Sequence, residues 1–421
     1  MTHWLDKSID RLFWIGYVFF VMATLTASFG VALSSVATVL LFGSGLLLIY
    51  RARCWQRLLK IELIGLCLFF WLCLNDLIAL ELTGLMSIVS EYRFLWLAPI
   101  VAIAFSASSY RQFIWVPIIV GLVFYSLGSV QLTLLGDPFE IGAYKRSIQN
   151  SHQNHLSLGG KFVHGLIATI VVSVSLFKVA NGGSWRSILG WSALALGFTG
   201  YTLLIENGRT GYILVILAWL ISGAFLLSNA HHWQFKLVFF FGVMGSIAIY
   251  SLSETVHGQV GRIFIAVDQV YNDGNFSSST GQRLQGFKNL LELDNNELLF
   301  GSGYERGSQH MRAWIKEGIF IGEPTKNLNM HSDIAHLVLY GGLIALILYV
   351  AFAYQFWLIS RIAMVEGDGL LAGLTCGVFI ALFVSGILNS TLMDLRERNV
   401  VLLGYILILI YSRLLFGKKG A

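Results

Sequence analysis

The chain has 421 residues, of which 56% are hydrophobic and only 12% charged, with a net charge of +5. Soluble globular proteins carry roughly 25% charged residues, so this composition excludes a soluble enzyme and indicates an integral membrane protein. The long apolar runs exclude an alternating-strand β-barrel, and +5 spread over this length does not indicate nucleic-acid binding.

A membrane-crossing helix needs about 20 apolar residues. Twelve segments qualify, near 12–29, 31–50, 61–80, 93–107, 112–134, 156–178, 187–205, 211–228, 235–253, 333–358, 370–390 and 399–416. The first could be mistaken for a signal peptide behind Lys7 and Arg11. Asp6 and Asp10 interleave with those bases and no convincing cleavage site follows, so it is read as a retained span. An even number of spans puts both termini on one side. Fourteen of the 28 Lys and Arg fall in the short loops and tails of that side, which the positive-inside rule makes cytoplasmic.

The predicted organisation is therefore nine spans over 1–253, a polar segment over 254–330, and three spans over 331–421. The polar segment is far longer than an ordinary connection. Ser279 and Thr280 offer an N-cap for a helix running from Gln282 to Leu291, and Gln309 to Glu317 reads as a second short amphipathic helix. Tyr271–Asn275 and Leu299–Gly303 carry turn residues. A lid or shelf over the membrane domain fits better than an independent fold. The four cysteines Cys54, Cys67, Cys73 and Cys376 form no CxxC or Cys/His metal spacing.

Arginines at the ends of spans on the translocated side break the charge rule and point to an anionic ligand. Arg209 lies in Glu206-Asn207-Gly208-Arg209-Thr210-Gly211, with Arg93 and Arg396 at other span ends. Arg283 and Arg306 are in the long loop. The planar guanidinium fork stays charged and donates paired hydrogen bonds to phosphate. Alternatively, Glu206 pairs with Arg209 three residues later on one helical face. His331, in Asn329-Met330-His331-Ser332-Asp333, is expected in the first turn of the tenth span, where an imidazole can act as a general base. The bland alternative is a capping or packing histidine. His336, five positions on, would then lie about 140° around the helix and about 7.5 Å deeper, facing elsewhere, so replacing it should do less harm than replacing His331. Many membrane glycosyltransferases with polyprenyl donors carry an acidic pair in the first outer loop. Here that loop, Ala27 to Ser34, has no carboxylate, and no HExxH, Walker A or GxSxG motif occurs in a suitable context. The expectation is chemistry without a metal or other cofactor. Should a metal be needed, Glu81, Glu91, Asp333 and Asp394 would be the carboxylates to reconsider.

In order and spacing, three pieces resemble the O-antigen ligase family: Asn207-Gly208-Arg209-Thr210-Gly211, Gly281-Gln282-Arg283-Leu284, and His331-Ser332-Asp333 continuing to Gly341-Gly342-Leu343. The resemblance covers the C-terminal half best. It implies an all-α, GT-C-like fold of twelve spans with a long periplasmic loop between the ninth and tenth, in a bacterial inner membrane. It also implies transfer of O-antigen polysaccharide from undecaprenyl pyrophosphate to a sugar of lipid A-core, with inversion. Arg209 and Arg283 would hold the pyrophosphate and His331 would be the catalytic base. Arg396 resembles a further basic position of the family, and Arg93 and Arg306 join the substrate-binding candidates. Ser332 stands where the family often has Asn. The partners so implied are the lipid-linked glycan, lipid A-core and the phospholipid bilayer. An O-antigen polymerase or a protein O-oligosaccharyltransferase would use the same donor. Asn75, Asp76 and Asn389, polar residues within spans, keep a transporter open as a non-enzyme reading.

Overall fold

The computed structural model describes residues 2–26, 30–52, 58–135, 161–204, 209–227, 233–319, 330–389, 391–392 and 395–417. Every regular element among them is helical: α1 (Thr2–Thr26), α2 (Gly30–Ala52), α3 (Lys60–Ile78), α4 (Leu82–Glu91), α5 (Arg93–Ala107), α6 (Trp115–Leu135), α7 (Lys161–Ala180), α8 (Trp185–Leu204), α9 (Arg209–Leu227) and α10 (Trp233–Leu252). Then follow α11 (Glu254–Asp273), α12 (Ser279–Leu291), α13 (Asn295–Phe300), α14 (Tyr304–Lys316), α15 (Asp333–Val365), α16 (Gly369–Phe379), α17 (Ser385–Leu388) and α18 (Leu395–Gly417). Ten helices are long and apolar enough to cross a membrane, or eleven if α4 and α5, bent by 54° at Tyr92, make one span. The protein is thus an all-α polytopic membrane protein; ten of the twelve sequence-derived spans fall on those ten helices, while 93–107 is the longer part of the bent α4–α5 pair and 112–134 lies on α6, which is not among them.

Lipid tails are as apolar as leucine, so membrane helices associate through close packing and buried hydrogen bonds. Both are present. In α16, Gly373 and Gly377 let α7 approach so closely that a Cβ on Gly373 would lie 2.6 Å from the Cα of Val174. Glu62 of α3 and Arg413 of α18 are joined through both carboxylate oxygens at 2.6 Å. At the same end of the bundle, Asp10 of α1 accepts hydrogen bonds from Ser108 and Ser109, beyond α5.

The 33-residue α15 is broken at Gly342, with φ 67° and ψ −167°. Only glycine takes this backbone without strain, and here a Cβ would also lie 2.3 Å from the Leu299 carbonyl oxygen. A break exposes carbonyls that lipid cannot satisfy, at several kcal/mol each. Neighbours supply the donors. Ser302 N–H bonds Leu339 O at 2.9 Å, Gly303 N–H bonds Tyr340 O at 3.0 Å, and Trp71 Nε1–H bonds Gly341 O at 2.7 Å. The break is where the polar segment clips onto the bundle.

That clip also explains the polar pair in the third span. Asn75 donates to Phe300 O at 2.7 Å and to Tyr340 O at 3.2 Å. Both oxygens of Asp76 accept Tyr304 N–H, at 2.9 and 3.0 Å, so this carboxylate caps α14 from another helix. As a result α14 begins at Tyr304, five residues ahead of the sequence expectation. The cap of α12 is Ser278, whose hydroxyl accepts Gly281 N–H, rather than Ser279.

Candidate functional site

Every basic candidate falls at one end of the bundle, the end covered by α11–α14. Val256 in the first turn of α11 packs on Leu203 and Tyr212, which places the start of α9, and so Arg209, at that end. Arg398 donates to Ser90 O at 2.8 Å, so the start of α18 meets α4 there too, and Asp333 N–H bonds Asn389 O, so the start of α15 meets the segment between α17 and α18. Helix N-termini carry partial positive charge and unsatisfied N–H groups, which favours anions. The starts of α5, α9, α15 and α18 gather at this end.

His331 and Arg283 are brought together across 48 positions of sequence. The Arg283 Nε–H donates to the His331 carbonyl oxygen at 3.1 Å. His331 precedes the N-cap of α15, so it lies outside the first turn where the sequence reading put it. Its φ is +54°, one of two positive-φ non-glycine residues among those described. That left-handed backbone costs roughly 1–2 kcal/mol for a residue with a Cβ and persists only when its surroundings over-determine it. The surroundings do so. Arg283 holds its carbonyl, Met330 ahead of it is buried, and Ser332 behind it caps α15 through Ala335 N–H while donating to Gly386 O at 3.0 Å. Serine is among the best N-caps, so Ser332 gives His331 a defined exit into α15.

The His331 side chain is exposed at this end. Crowding of protein around the imidazole, and after that the Arg283 guanidinium, push its pKa below the ordinary histidine value. The neutral, proton-accepting form is favoured.

Beneath it lies a residue that the sequence reading set aside. His336 is fully buried, and its Nε2 accepts the Met330 N–H at 3.1 Å. A backbone amide can only donate, so Nε2 carries the lone pair and Nδ1 the proton of the neutral ring. Nδ1–H then donates to Tyr340 Oη at 3.2 Å, and that hydroxyl meets Ser308 of α14. His336 is buried where His331 is exposed. It is nevertheless tied to the residue next to His331, so it is not remote from the site.

On the flank, Tyr304 Oη–H donates to Glu91 at 2.9 Å. Burial, then the Glu91 charge and this bond, raise the Tyr304 pKa, so the phenol is a fixed donor. Asp333 is buried, and its Oδ1 accepts Leu392 N–H at 2.9 Å.

The other candidates differ in setting. Arg306 is paired with Glu297 at 2.9 Å, a carboxylate it shares with His310. Arg93 is buried and donates to Asn399, whose amide donates to Ser34 Oγ at 2.8 Å, so it ties α5 to α18 and α2. Arg209 and Arg396 stand in the first turns of α9 and α18, and their side chains, with Glu206 and Asp394, lie outside the described residues. The sequence reading passed over His164 of α7. Its ring is stacked between Tyr125 and Phe198, and Nδ1 is hydrogen-bonded to Tyr125. An ionisable residue inside an apolar run was the available signal. Its neighbour Gly165 meets Gly211, two residues beyond Arg209. Among the described residues, no three His, Cys, Asp or Glu side chains gather as metal ligands.

Fold and site together define the class: a polytopic, all-α membrane protein with a polar, arginine-rich end roofed by short helices. No protein-family model matches the chain, and no curated protein matches its sequence.

Proposed function

We propose that this protein is a lipid-linked glycan transferase of the O-antigen ligase type, a GT-C-like enzyme of twelve spans in a bacterial inner membrane. Its termini are cytoplasmic and its His331 end is periplasmic. The observation that carries this reading is the pairing of an exposed, left-handed His331 with Arg283 across its carbonyl.

In this reading the donor is O-antigen polysaccharide on undecaprenyl pyrophosphate, and the acceptor is a sugar hydroxyl of lipid A-core. His331 takes the proton of that hydroxyl as its oxygen attacks the anomeric carbon. The bond from that carbon to the pyrophosphate oxygen breaks, and undecaprenyl pyrophosphate departs with the bonding pair. Arg283 and Arg209, with the helix N-termini around them, stabilise the growing negative charge. One displacement from the far side inverts the anomeric centre. Arg396 is assigned to the same basic rim. Arg93 and Arg306, each with a protein partner, are given accessory places in it. No divalent ion and no other cofactor is assigned.

A polymerase would run the same chemistry with a growing lipid-linked glycan as acceptor, and a protein O-oligosaccharyltransferase with a Ser or Thr hydroxyl. The transporter reading loses support, because Asn75 and Asp76 are engaged with the backbone of α13–α15. The test is His331→Ala in purified, correctly inserted protein. Loss of transfer supports His331 as the base, and near-normal transfer removes it.

A further inference from the structure

The helix α11 carries an apolar stripe that no part of the described chain covers. Phe264 is 70% exposed, Val267 45% and Tyr271 88%. At 3.6 residues per turn these three fall within an arc of about 60°. On one side of the arc lies the packed face, with Val256 and Ala266 buried. On the other lie exposed Asp268 and Asn272, hydrogen-bonded to each other at 2.7 Å, and further round exposed Ile265, Arg262 and Asp273. The stripe is thus wedged between a protein-facing surface and a mainly polar one interrupted by Ile265.

Its position says what covers it. The span α10 presents Phe240, Phe241, Met244 and Ile247 to the outside of the bundle, and its last residue, Leu252, is 85% exposed. That flank of a membrane-crossing helix faces lipid. One residue later Ser253 leaves helical geometry, with φ −96° and ψ 106°, and caps α11 through Val256 N–H. The axis is redirected there, and His257 folds back to within 5.2 Å of the Tyr250 ring. The exposed stripe of α11 therefore continues the lipid-facing flank of α10 around a corner.

We propose that α11 lies in the headgroup layer of the bilayer, with Phe264, Val267 and Tyr271 seated against phospholipid. A helix with an apolar stripe, aromatic side chains on it and a polar face opposite binds at a membrane surface in this way. Gly274, left-handed at φ 61°, ends α11, and Ser278 then starts α12, which carries Arg283. The seat thereby sets how far above the bilayer Arg283 stands. The inference is independent of which reaction the protein performs.

The test uses nitroxide spin labels on Val267→Cys and, separately, Arg262→Cys, in full-length protein with Cys54 and Cys67 replaced by Ser. Each is reconstituted in vesicles of phosphatidylethanolamine and phosphatidylglycerol, and collision with oxygen is compared with collision with a water-soluble nickel chelate. The label at 267 is expected to favour oxygen and the label at 262 the chelate. Equal chelate access at both positions would place α11 in water and overturn the proposal. A label at 267 shielded from both reagents, or broadened by a second label, would put a protein partner or second copy there and overturn it equally. Tyr271→Cys, at the most exposed position of the stripe, supplies the same readout should Val267→Cys fail to insert.

Discussion

His336→Ala is expected to unsettle the fold around His331 more than any change to His331 itself. The substitution strips the acceptor from the buried Met330 N–H and the donor from Tyr340 Oη. An unsatisfied buried donor costs about 1–3 kcal/mol and a lost hydrogen bond about 1 kcal/mol. Together they predict a loss of about 2–4 kcal/mol, before any cavity term. With Met330 released, the left-handed His331 loses one of the contacts that hold it, so transfer should fall as well. His336→Gln returns an acceptor near Nε2 and should recover more than half of both losses. The contrast is His331→Gly. Glycine adopts φ +54° without a Cβ penalty, so this variant should be as stable as the parent within about 1 kcal/mol and yet inactive. Equilibrium unfolding in detergent, beside a transfer assay on the same preparations, reads both effects. A His336→Ala protein with parental stability and rate would show that the imidazole does not hold the loop.

Three further outcomes follow from the site. The acid limb of the activity profile should lie below the free-histidine pKa of about 6.5, because His331 is pushed down by the protein crowded around its imidazole and by Arg283. In Arg283→Gln the cation is gone and that limb should move to higher pH; an unmoved limb would separate Arg283 from the titrating group. Arg209→Ala and Arg283→Ala should each reduce transfer about tenfold to a hundredfold, the worth of a charge-assisted hydrogen bond of roughly 1.5–3 kcal/mol. Lysine should restore part of it, since it lacks the planar fork, and full restoration would leave only general electrostatics. Transfer should survive excess EDTA and gain nothing from magnesium; silencing by chelator and revival by magnesium would return the carboxylates Glu91 and Asp333 to consideration as ligands.

Ten spans were legible because each is a long apolar run, a signal carried by composition alone. Contacts between distant segments were not. The start of α14 depends on Asp76, 228 residues away, so no local cap marks it. The 20-residue α11 escaped because its stripe is short and mixed with polar residues, and α4 because its ten residues are too few to announce a span. Arg283 and His331 were each singled out by residue type, but their adjacency comes from α12 docking beside the start of α15. His336 was misjudged for a geometric reason. Counting helical turns from His331 assumes that His331 is in the helix, whereas the chain enters α15 only after Ser332. The turn at His331 folds Met330 back over the helix end, within reach of His336.

The most direct measurement is transfer by purified protein in vesicles supplied with undecaprenyl-pyrophosphate-linked O-antigen, with and without lipid A-core. The proposed function predicts glycan on lipid A-core, release of undecaprenyl pyrophosphate, and neither product from His331→Gly. Glycan lengthening on the donor while lipid A-core stays unmodified would contradict the ligase assignment, and no turnover with any acceptor would contradict a glycan transferase altogether.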